Sequence, residues 1–264
     1  MSRSSGWQGE RSAPPPHPTR LAVTWLGHST VLLDVAGVRI LTDPLLRNRV
    51  AHLKRVAPAV PPIGPVDAIL LSHAHLDHLD IPSLRRLPRD TPVVVPAGLR
   101  RTMRRLGYER VHEVVAGDVV DIGGVGVQAT FASHPPGRLL PSGAEPVGYL
   151  IQGGTPTYFA GDTDLCDELR ELHGHVQVAL LPISGWGPRV PEGHLDPDRA
   201  AQALELIRPK TCIPIHWGTF RPLYRRRPYE ADERAPQRFI DLAASLTPEV
   251  AIRVLLPGER WATE

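Results

Sequence analysis

The chain has 264 residues, of which 42% are hydrophobic and 22% charged, and its formal net charge at pH 7 is +2. This length and composition predict a soluble globular protein with a sizeable core, and the small net charge gives no argument for a nucleic-acid partner. No run of 18 apolar residues occurs, so we expect no transmembrane helix. The two cysteines, Cys166 and Cys212, form no paired motif and favour a reducing, cytoplasmic location.

Residues 1–19 are dominated by Ser, Gly and Pro and contain no apolar stretch. This composition predicts a disordered N-terminal tail rather than a signal peptide or a membrane anchor. Residues 20–264 are expected to form one folded domain, and no short internal repeat is visible in them.

Short apolar runs rich in β-branched residues follow the tail and predict strands, because Gly, Pro and Asp separate them. The first three runs, LAVTWLG, TVLLDVAG and VRILTDP, lie within residues 21–44. The run VDAILLSH at residues 66–73 is almost continuously apolar, which is typical of a strand buried on both faces. Further strands are expected in TPVVVP, VGVQATFASH, PVGYLIQ, TPTYFAGD, VQVALLPIS and TCIPIHWG.

Apolar residues recur at helical spacing over residues 99–106, 165–172 and 200–207, between the predicted strands. Asp164 and Asp196 are the expected N-caps of the second and third of these helices, and a proline follows the second cap directly. Many strands with interspersed helices predict two packed sheets flanked by helices.

Polar side chains that can bind metals stand where the apolar runs stop. They are Asp43, His73, His134, Asp162 and His216. Rigid strand ends deliver side chains to a shared edge, where the ligand sites of α/β proteins gather. We therefore expect these residues to meet in one site although they are far apart in the sequence.

The densest group is SHAHLDHLD at residues 72–80, which has three histidines and two aspartates in nine positions. In extended backbone, His73 and His75 would lie on one side and bind one cation, while Asp77 and His78 would face a second. Imidazole and carboxylate groups together suit zinc, manganese or iron. The alternative is a histidine-rich surface loop that binds nothing, which the buried strand predicted just before it argues against.

The string HAHLDH at residues 73–78 resembles the H-x-H-x-D-H signature of the metallo-β-lactamase superfamily, and His134, Asp162 in GDT and His216 follow in that family's order. The stretches TWLGHSTVLLD, RILTDP, EGHLDP and IHWGTF resemble the branch that contains N-acylphosphatidylethanolamine phospholipase D and the ascorbate-6-phosphate lactonases. The phospholipase side is closer through IHWGTF. The resemblance covers about residues 21–220 and implies a four-layer αββα sandwich, an α/β fold with the metal site at the strand ends between its two sheets.

The resemblance also implies a pair of divalent metal ions. It assigns two groups of ligands and a bridge: His73, His75 and His134; Asp77, His78 and His216; and Asp162 between them. Zinc is the favoured metal, with manganese and iron as alternatives. Two such ions lower the pKa of a shared water and polarise the oxygen that it attacks, so no serine or cysteine nucleophile is needed.

Four residues are candidates for a part in the chemistry beyond metal ligation alone. Asp77 is expected to be catalytic as well as a ligand. Asp43 is expected either to orient a ligand histidine by accepting its free N–H or to form an ordinary Asp-Pro turn. His28 in LGHST resembles a position near the family's site, with a strand-turn cap as the alternative. His194 in EGHLDP is expected to face the substrate as a catalytic residue, with a plain helix-entry role as the alternative.

These observations predict a hydrolase that cleaves a phosphodiester, with a phospholipid-type substrate in the branch it resembles. A lactonase or another ester hydrolase is the alternative, because the same seven ligands serve both reactions. A di-iron oxidoreductase is disfavoured because such relatives typically carry Glu at the position of His75. A non-catalytic metal-binding protein is disfavoured because no ligand is missing.

The expected partner is therefore a small-molecule or lipid-like ester or phosphodiester. No nucleic acid is expected, because the net charge is small and no added RNA-binding module is visible. No strong amphipathic, membrane-binding helix is visible in the sequence. Peripheral contact with a membrane remains an alternative, and the oligomeric state is not predicted. The arginine-rich stretches at residues 100–105 and 225–227 are interpreted as solvated surfaces.

Overall fold

The structure is a computed structural model that describes residues 21–136, 143–185, 189–227 and 229–263. The predicted tail at residues 1–19 lies outside the described residues. Within the described ranges, no helix is long and apolar enough to cross a membrane.

Strands dominate the described part of the chain. In chain order they are β1 (Leu21–Gly27), β2 (Thr30–Val35), β3 (Val38–Thr42), β4 (Arg49–Val50), β5 (Leu53–Arg55), β6 (Ala68–Leu70), β7 (Val93–Pro96), β8 (Val111–Val114), β9 (Val119–Ile122), β10 (Val125–Phe131), β11 (Val147–Gln152), β12 (Thr157–Phe159), β13 (Val178–Pro182), β14 (Thr211–Ile215), β15 (Phe220–Pro222), β16 (Ala251–Ile252) and β17 (Arg260–Ala262). The helices are α1 (Ile81–Leu84), α2 (Arg100–Arg105), α3 (Pro197–Ile207) and α4 (Glu230–Leu246), and a 3-10 helix spans Asp167–Leu172.

Two seven-stranded sheets have the strand orders β17-β1-β2-β3-β6-β7-β8 and β16-β14-β13-β12-β11-β10-β9. In the first sheet, β1, β2 and β3 are antiparallel, and β3, β6, β7 and β8 are parallel. In the second sheet, β9 to β12 are antiparallel, and β12, β13, β14 and β16 are parallel. A small third sheet has the order β15-β5-β4.

The main hydrophobic core lies between the two large sheets. Trp25 from the first sheet and Tyr149 and Phe159 from the second are fully buried in it. A second apolar cluster joins the outer face of the first sheet to α1 and α2, and a third joins the outer face of the second sheet to α3 and α4. Helices therefore cover both outer faces, and the predicted αββα sandwich is confirmed.

The segment that follows β6 differs from its predicted conformation. The strand ends at Leu70, and the chain then turns, since the backbone N–H groups of His78 and Leu79 both donate to the carbonyl of His75. A turn was expected at Asp77 and His78, but the chain already bends at residues 74–75, so the expectation of extended backbone there was wrong. The turn brings the side chains of this segment together in place of the alternation of a strand.

The predicted helix at residues 165–172 is also different. It is a 3-10 helix whose N-cap position is Cys166, which makes no side-chain capping bond. Asp164, the expected cap, instead accepts from the backbone N–H of Gly193 at 2.9 Å and pairs with Arg199 at 2.7 Å. The carboxylate cannot cap its own helix because the guanidinium and the Gly193 loop hold it.

The predicted third helix is confirmed as α3. Asp196 accepts from the backbone N–H of Arg199 at 2.9 Å, and Pro197 occupies the first turn. In contrast, α4 has no counterpart among the predicted helices. Its buried positions are Asp232, Ala235, Phe239 and Ala243, so Phe239 is the one large residue among them, and Pro236 lies inside the helix.

Replacing Asp196 by Ala should lower the free energy of unfolding by about 1 kcal/mol, because α3 loses its N-cap hydrogen bond. Urea denaturation followed by circular dichroism measures the change. The control variant Glu205→Ala, exposed on the same helix, should change the free energy by less than about 0.5 kcal/mol. Identical unfolding curves for Asp196→Ala and the wild type would contradict a capping role.

Candidate metal centre

The strands deliver their C-terminal residues to one edge where the two large sheets meet. In the first sheet, β1, β3 and β6 run in the same direction, and His28, Asp43 and His73 follow them. In the second sheet, β10, β12 and β14 share a direction. They are followed by His134, Asp162 and His216. The parallel arrangement is why residues up to 188 positions apart come together.

Three histidines form a compact group that we name the three-histidine cluster: His73, His75 and His134. The Nδ1 atom of His75 lies 2.9 Å from Nε2 of His73 and 3.0 Å from Nε2 of His134. His73 is fully buried and His134 nearly so, while His75 lies at the rim. Three nitrogens that converge in this way can hold one metal ion.

A second group, the aspartate–histidine cluster, consists of Asp77, His78 and His216. Nε2 of His78 lies 3.1 Å from one oxygen of Asp77 and 3.1 Å from one oxygen of Asp162. Nε2 of His216 lies 3.3 Å from the other oxygen of Asp162. Asp162 thus stands between the clusters, since the oxygen that faces His78 is also 3.9 Å from Nε2 of His73.

Hydrogen bonds on the far side of each ring determine which nitrogen faces the site. Nδ1 of His134 donates to the carbonyl of Gly193 at 2.6 Å, and Nδ1 of His216 donates to the carbonyl of Ser184 at 2.8 Å. Because a carbonyl oxygen can only accept, Nδ1 carries the proton in both rings. In the neutral ring, Nε2 then presents a lone pair toward the site, as metal ligation requires.

Asp43 holds two further rings from behind, that of His78 directly and that of His73 through Ser72. It accepts from Nδ1 of His78 at 2.7 Å and from Oγ of Ser72 at 2.5 Å. The Ser72 oxygen lies 2.9 Å from Nδ1 of His73 and can accept its proton while donating to Asp43. Asp43 also precedes Pro44 in a turn with φ of +32°, so the orienting contacts and the turn are both present.

Glycine is required just before Asp162, because the two sheet edges approach closely there. A Cβ atom at Gly161 would lie 2.5 Å from Cβ of Ser72, and the residue has φ of +61°. Gly193 is similar: a Cβ atom there would lie 2.4 Å from Cδ of Pro135, and φ is +85°. Both glycines let backbone pack directly against segments that carry the clustered histidines.

His28 lies inside the site. Its Nε2 atom is 2.8 Å from an oxygen of Asp77, and its ring centroid is 4.0 Å from that of His216. Burial, aided by the nearby His216, lowers the pKa of His28 to about 3. His28 therefore stays neutral and supports Asp77 by hydrogen bonding.

His194 approaches the same centre from its outer side. Its Nε2 atom lies 3.4 Å from an oxygen of Asp162, and its ring meets that of His134 edge to face at 4.6 Å. The side chain is 18% exposed, whereas that of Asp162 is 2% exposed. Of these two side chains, His194 is the one that a molecule arriving from solvent would meet.

The buried carboxylates give the site a charge that favours binding of a cation. Burial alone would raise the pKa of Asp162, but His216 and His78 hold that pKa well below its usual range. Burial lowers the pKa of His73 well below its usual range. For His78, the carboxylates of Asp162 and Asp77 outweigh burial and raise its pKa well above the usual value. Buried carboxylates therefore draw positive charge to this position.

Two buried atoms test whether the donor set fits a metal. In the part of the chain that the structure describes, Nε2 of His78 and Oδ1 of Asp162 make no hydrogen bond. Nε2 of His78 has carboxylate oxygens of Asp77 and Asp162 at 3.1 Å, and Oδ1 of Asp162 has Nε2 of His216 at 3.3 Å. A shared cation would satisfy both atoms, so the residues fit a metal centre.

Some contacts that build the site were not predicted. Ser72 and Ser184 each adjoin the end of a strand, as the predicted residues do, so their position was a usable signal. No sequence signal pointed to the carbonyl of Gly193 or the side chain of Asp232, because their contacts join residues that are far apart in the sequence.

Comparisons with known proteins show which family the chain belongs to. The family described as "Beta-lactamase superfamily domain" matches residues 38–217. A metal-dependent hydrolase of Methanopyrus kandleri is 32% identical over 251 residues, which cover 91% of this chain and 99% of the relative. The chain therefore belongs to the metallo-β-lactamase superfamily of metal-dependent hydrolases.

Two further comparisons are informative. An N-acyl-phosphatidylethanolamine-hydrolyzing phospholipase D of Caenorhabditis elegans is 30% identical over 229 residues, which cover 76% of this chain and 64% of the relative. The solved structure of Igni18, a metallo hydrolase from the archaeon Ignicoccus hospitalis, matches with a TM-score of 0.73 at 24% identity and covers 93% of this chain and 99% of that one. The structural match supports the fold.

Proposed function

We propose that the protein is a dinuclear metal-dependent hydrolase that cleaves a phosphodiester. The observation that carries this proposal is the convergence of the three-histidine cluster and the aspartate–histidine cluster on one carboxylate, that of Asp162. Membership in the superfamily supports it. Each cluster would hold one ion, and Asp162 would bind both, with zinc favoured over manganese and iron.

When bound, the two ions would lower the pKa of a water between them and polarise the substrate oxygen that it attacks. The protein's own groups then have defined tasks. Asp77 accepts a hydrogen bond from His28 at 2.8 Å, and we assign to its carboxylate the orientation of the attacking water. Asp43 and the carbonyls of Gly193 and Ser184 hold the ligand rings in place, which limits reorganisation during the reaction.

We assign to His194 the contact with the substrate. Its imidazole lies at the exposed side of the centre and within 3.4 Å of Asp162. From there, Nε2 can donate a hydrogen bond to a phosphoryl oxygen or a proton to the leaving oxygen. A general acid in such a position typically contributes about 10²–10⁴-fold to the rate.

The phosphodiester is favoured because the C. elegans relative is a phospholipase D and aligns with 76% of this chain. Hydrolysis of a lactone or another ester is the alternative, since the same ligands would serve it. We propose testing the metal-reconstituted protein on bis-p-nitrophenyl phosphate, phospholipids, lactones and β-lactams. The expected result is the highest kcat/KM on a phosphodiester. Turnover of lactones alone would replace the proposal by its alternative.

Wild-type protein should bind two equivalents of zinc, and Asp162→Ala should lose most of the metal and all activity while keeping its secondary structure. The reason is that one carboxylate would ligate both ions and offset their repulsion. Elemental analysis and circular dichroism measure the two effects, and Asp241→Ala, exposed on α4, is the control. Full metal occupancy in Asp162→Ala would exclude Asp162 as the bridge.

His194→Ala should keep both metal ions and the native melting temperature but reduce kcat by about 10²–10⁴-fold. Metal content, melting temperature and turnover measured on this one variant separate three roles. A helix-entry role predicts lower stability with turnover preserved per folded molecule, and a metal-ligand role predicts loss of metal. His175→Ala, at an exposed position, is the matched control and should change none of these quantities.

A further inference from the structure

The first turn of α4 contains a buried carboxylate that the proposed chemistry does not use. Asp232 is 2% exposed, although its neighbours Ala231 and Glu233 are exposed. In the part of the chain that the structure describes, it pairs with no lysine or arginine. A buried carboxylate without a partner cation is costly to keep ionised unless hydrogen bonds offset that cost.

Both oxygens of Asp232 hold segments that adjoin His216. Oδ1 accepts from Oγ of Ser184 at 2.6 Å, and Oδ2 accepts from the backbone N–H of Gly218 at 3.1 Å. Ser184 in turn accepts, through its carbonyl, from Nδ1 of His216 at 2.8 Å. The carboxylate of Asp232 therefore holds both Ser184, which accepts from the His216 ring, and the backbone of Gly218, two residues after His216.

That backbone needs external support. His216 has φ of +63° and Gly218 has φ of +58°. A histidine in the left-handed region is strained, and such a conformation persists only where surrounding contacts determine it. The bond from Gly218 to Asp232 is one of those contacts, because it anchors the chain directly after the strained residue.

The arrangement parallels the one on the first sheet. There Asp43 accepts from Ser72, whose oxygen lies beside Nδ1 of His73. On the second sheet Asp232 accepts from Ser184, whose carbonyl accepts from His216. On each side of the centre, a serine and a carboxylate thus stand behind a histidine, and on the second side α4 supplies the carboxylate.

We infer that Asp232 is a positioning residue for the metal ion held by the aspartate–histidine cluster, acting through Ser184 and Gly218 on His216. This inference rests on the proposed function. It makes the first turn of α4 part of the site, although Asp232 would touch neither metal nor substrate. Loss of a residue that orients a metal ligand typically weakens metal binding about 10–100-fold.

The test is the stepwise binding of zinc to the apoprotein, measured by chelator competition, for the variants Asp232→Ala, Asp232→Asn and Ser184→Ala. Asp232→Ala should weaken binding of one equivalent about 10–100-fold and leave the other within about twofold. Asp232→Asn should have a smaller effect, because its amide can still accept from Gly218 and pair with Ser184. Glu233→Gln, exposed in the same turn, is the control and should bind zinc as the wild type does.

A second measurement does not depend on metal. The ¹H–¹⁵N correlations of the His216 ring in the apoprotein should show the Nδ1-protonated form in the wild type and an altered ring environment in Asp232→Ala. Wild-type affinity for both equivalents in Asp232→Ala and Ser184→Ala, with an unchanged ring signal, would overturn the inference. Equal weakening of both equivalents, with a lower melting temperature, would also overturn it by showing a general structural role.

These outcomes are distinct from failure of the proposed function. If wild-type protein bound two equivalents but hydrolysed none of the substrates, the proposed reaction would fail while the positioning role could still be measured. If wild-type protein bound a single equivalent, the dinuclear proposal would fail. The inference would then stand only if Asp232→Ala altered the His216 ring signal and would fall if that signal were unchanged.

Discussion

Three carboxylates, those of Asp43, Asp77 and Asp162, are buried together with histidines at the edge where the two sheets meet. Concentrating negative charge out of water is unfavourable unless positive charge or hydrogen bonds compensate it. Most other features of the site follow from this constraint. Histidine rings surround the carboxylates. Through the nitrogen that faces away from the site, His134 and His216 each donate to a backbone carbonyl, and His78 donates to Asp43. A cation bound between the clusters would supply further positive charge to balance the buried carboxylates.

The edge that holds these carboxylates also contains strained backbone. His28, Asp43 and His216 all have positive φ values, and all follow strands that end at this edge. Such conformations cost about 1–3 kcal/mol each and persist where tertiary contacts determine them. Here the carbonyl of His28 accepts from the backbone N–H of His216 at 3.1 Å, which joins the two sheets at the centre itself. The two sheets thus help to hold the strained residues in place.

The support of the centre extends outward in layers. Tyr149 of the second sheet donates to the carbonyl of Leu71 in the first at 2.7 Å, just before the histidine-rich turn. Asp164 pairs with Arg199 and also accepts from the backbone of Gly193, whose carbonyl holds His134. Asp232 occupies the equivalent place behind His216. The helices α3 and α4 therefore contribute to the geometry of the site as well as to the packing of the outer face.

The sequence by itself determined ten of the seventeen strands in the described residues, the capped helix α3 and the candidate residues. These features follow from local patterns, each with a local physical cause. The patterns are apolar runs, a capping residue followed by proline, and histidines at the ends of strands. The sequence did not determine the short strands β4, β5, β8, β9, β15, β16 and β17. It did not reveal α4, in which Phe239 is the one large residue among those buried, or the bend at residues 74–75 just before the expected turn. Only the tertiary structure decided that Asp164 binds Arg199 instead of capping a helix, and that Asp232 stands behind His216. Each of these carboxylates is held by groups from other segments, and contacts across such separations leave no periodic signal in the chain.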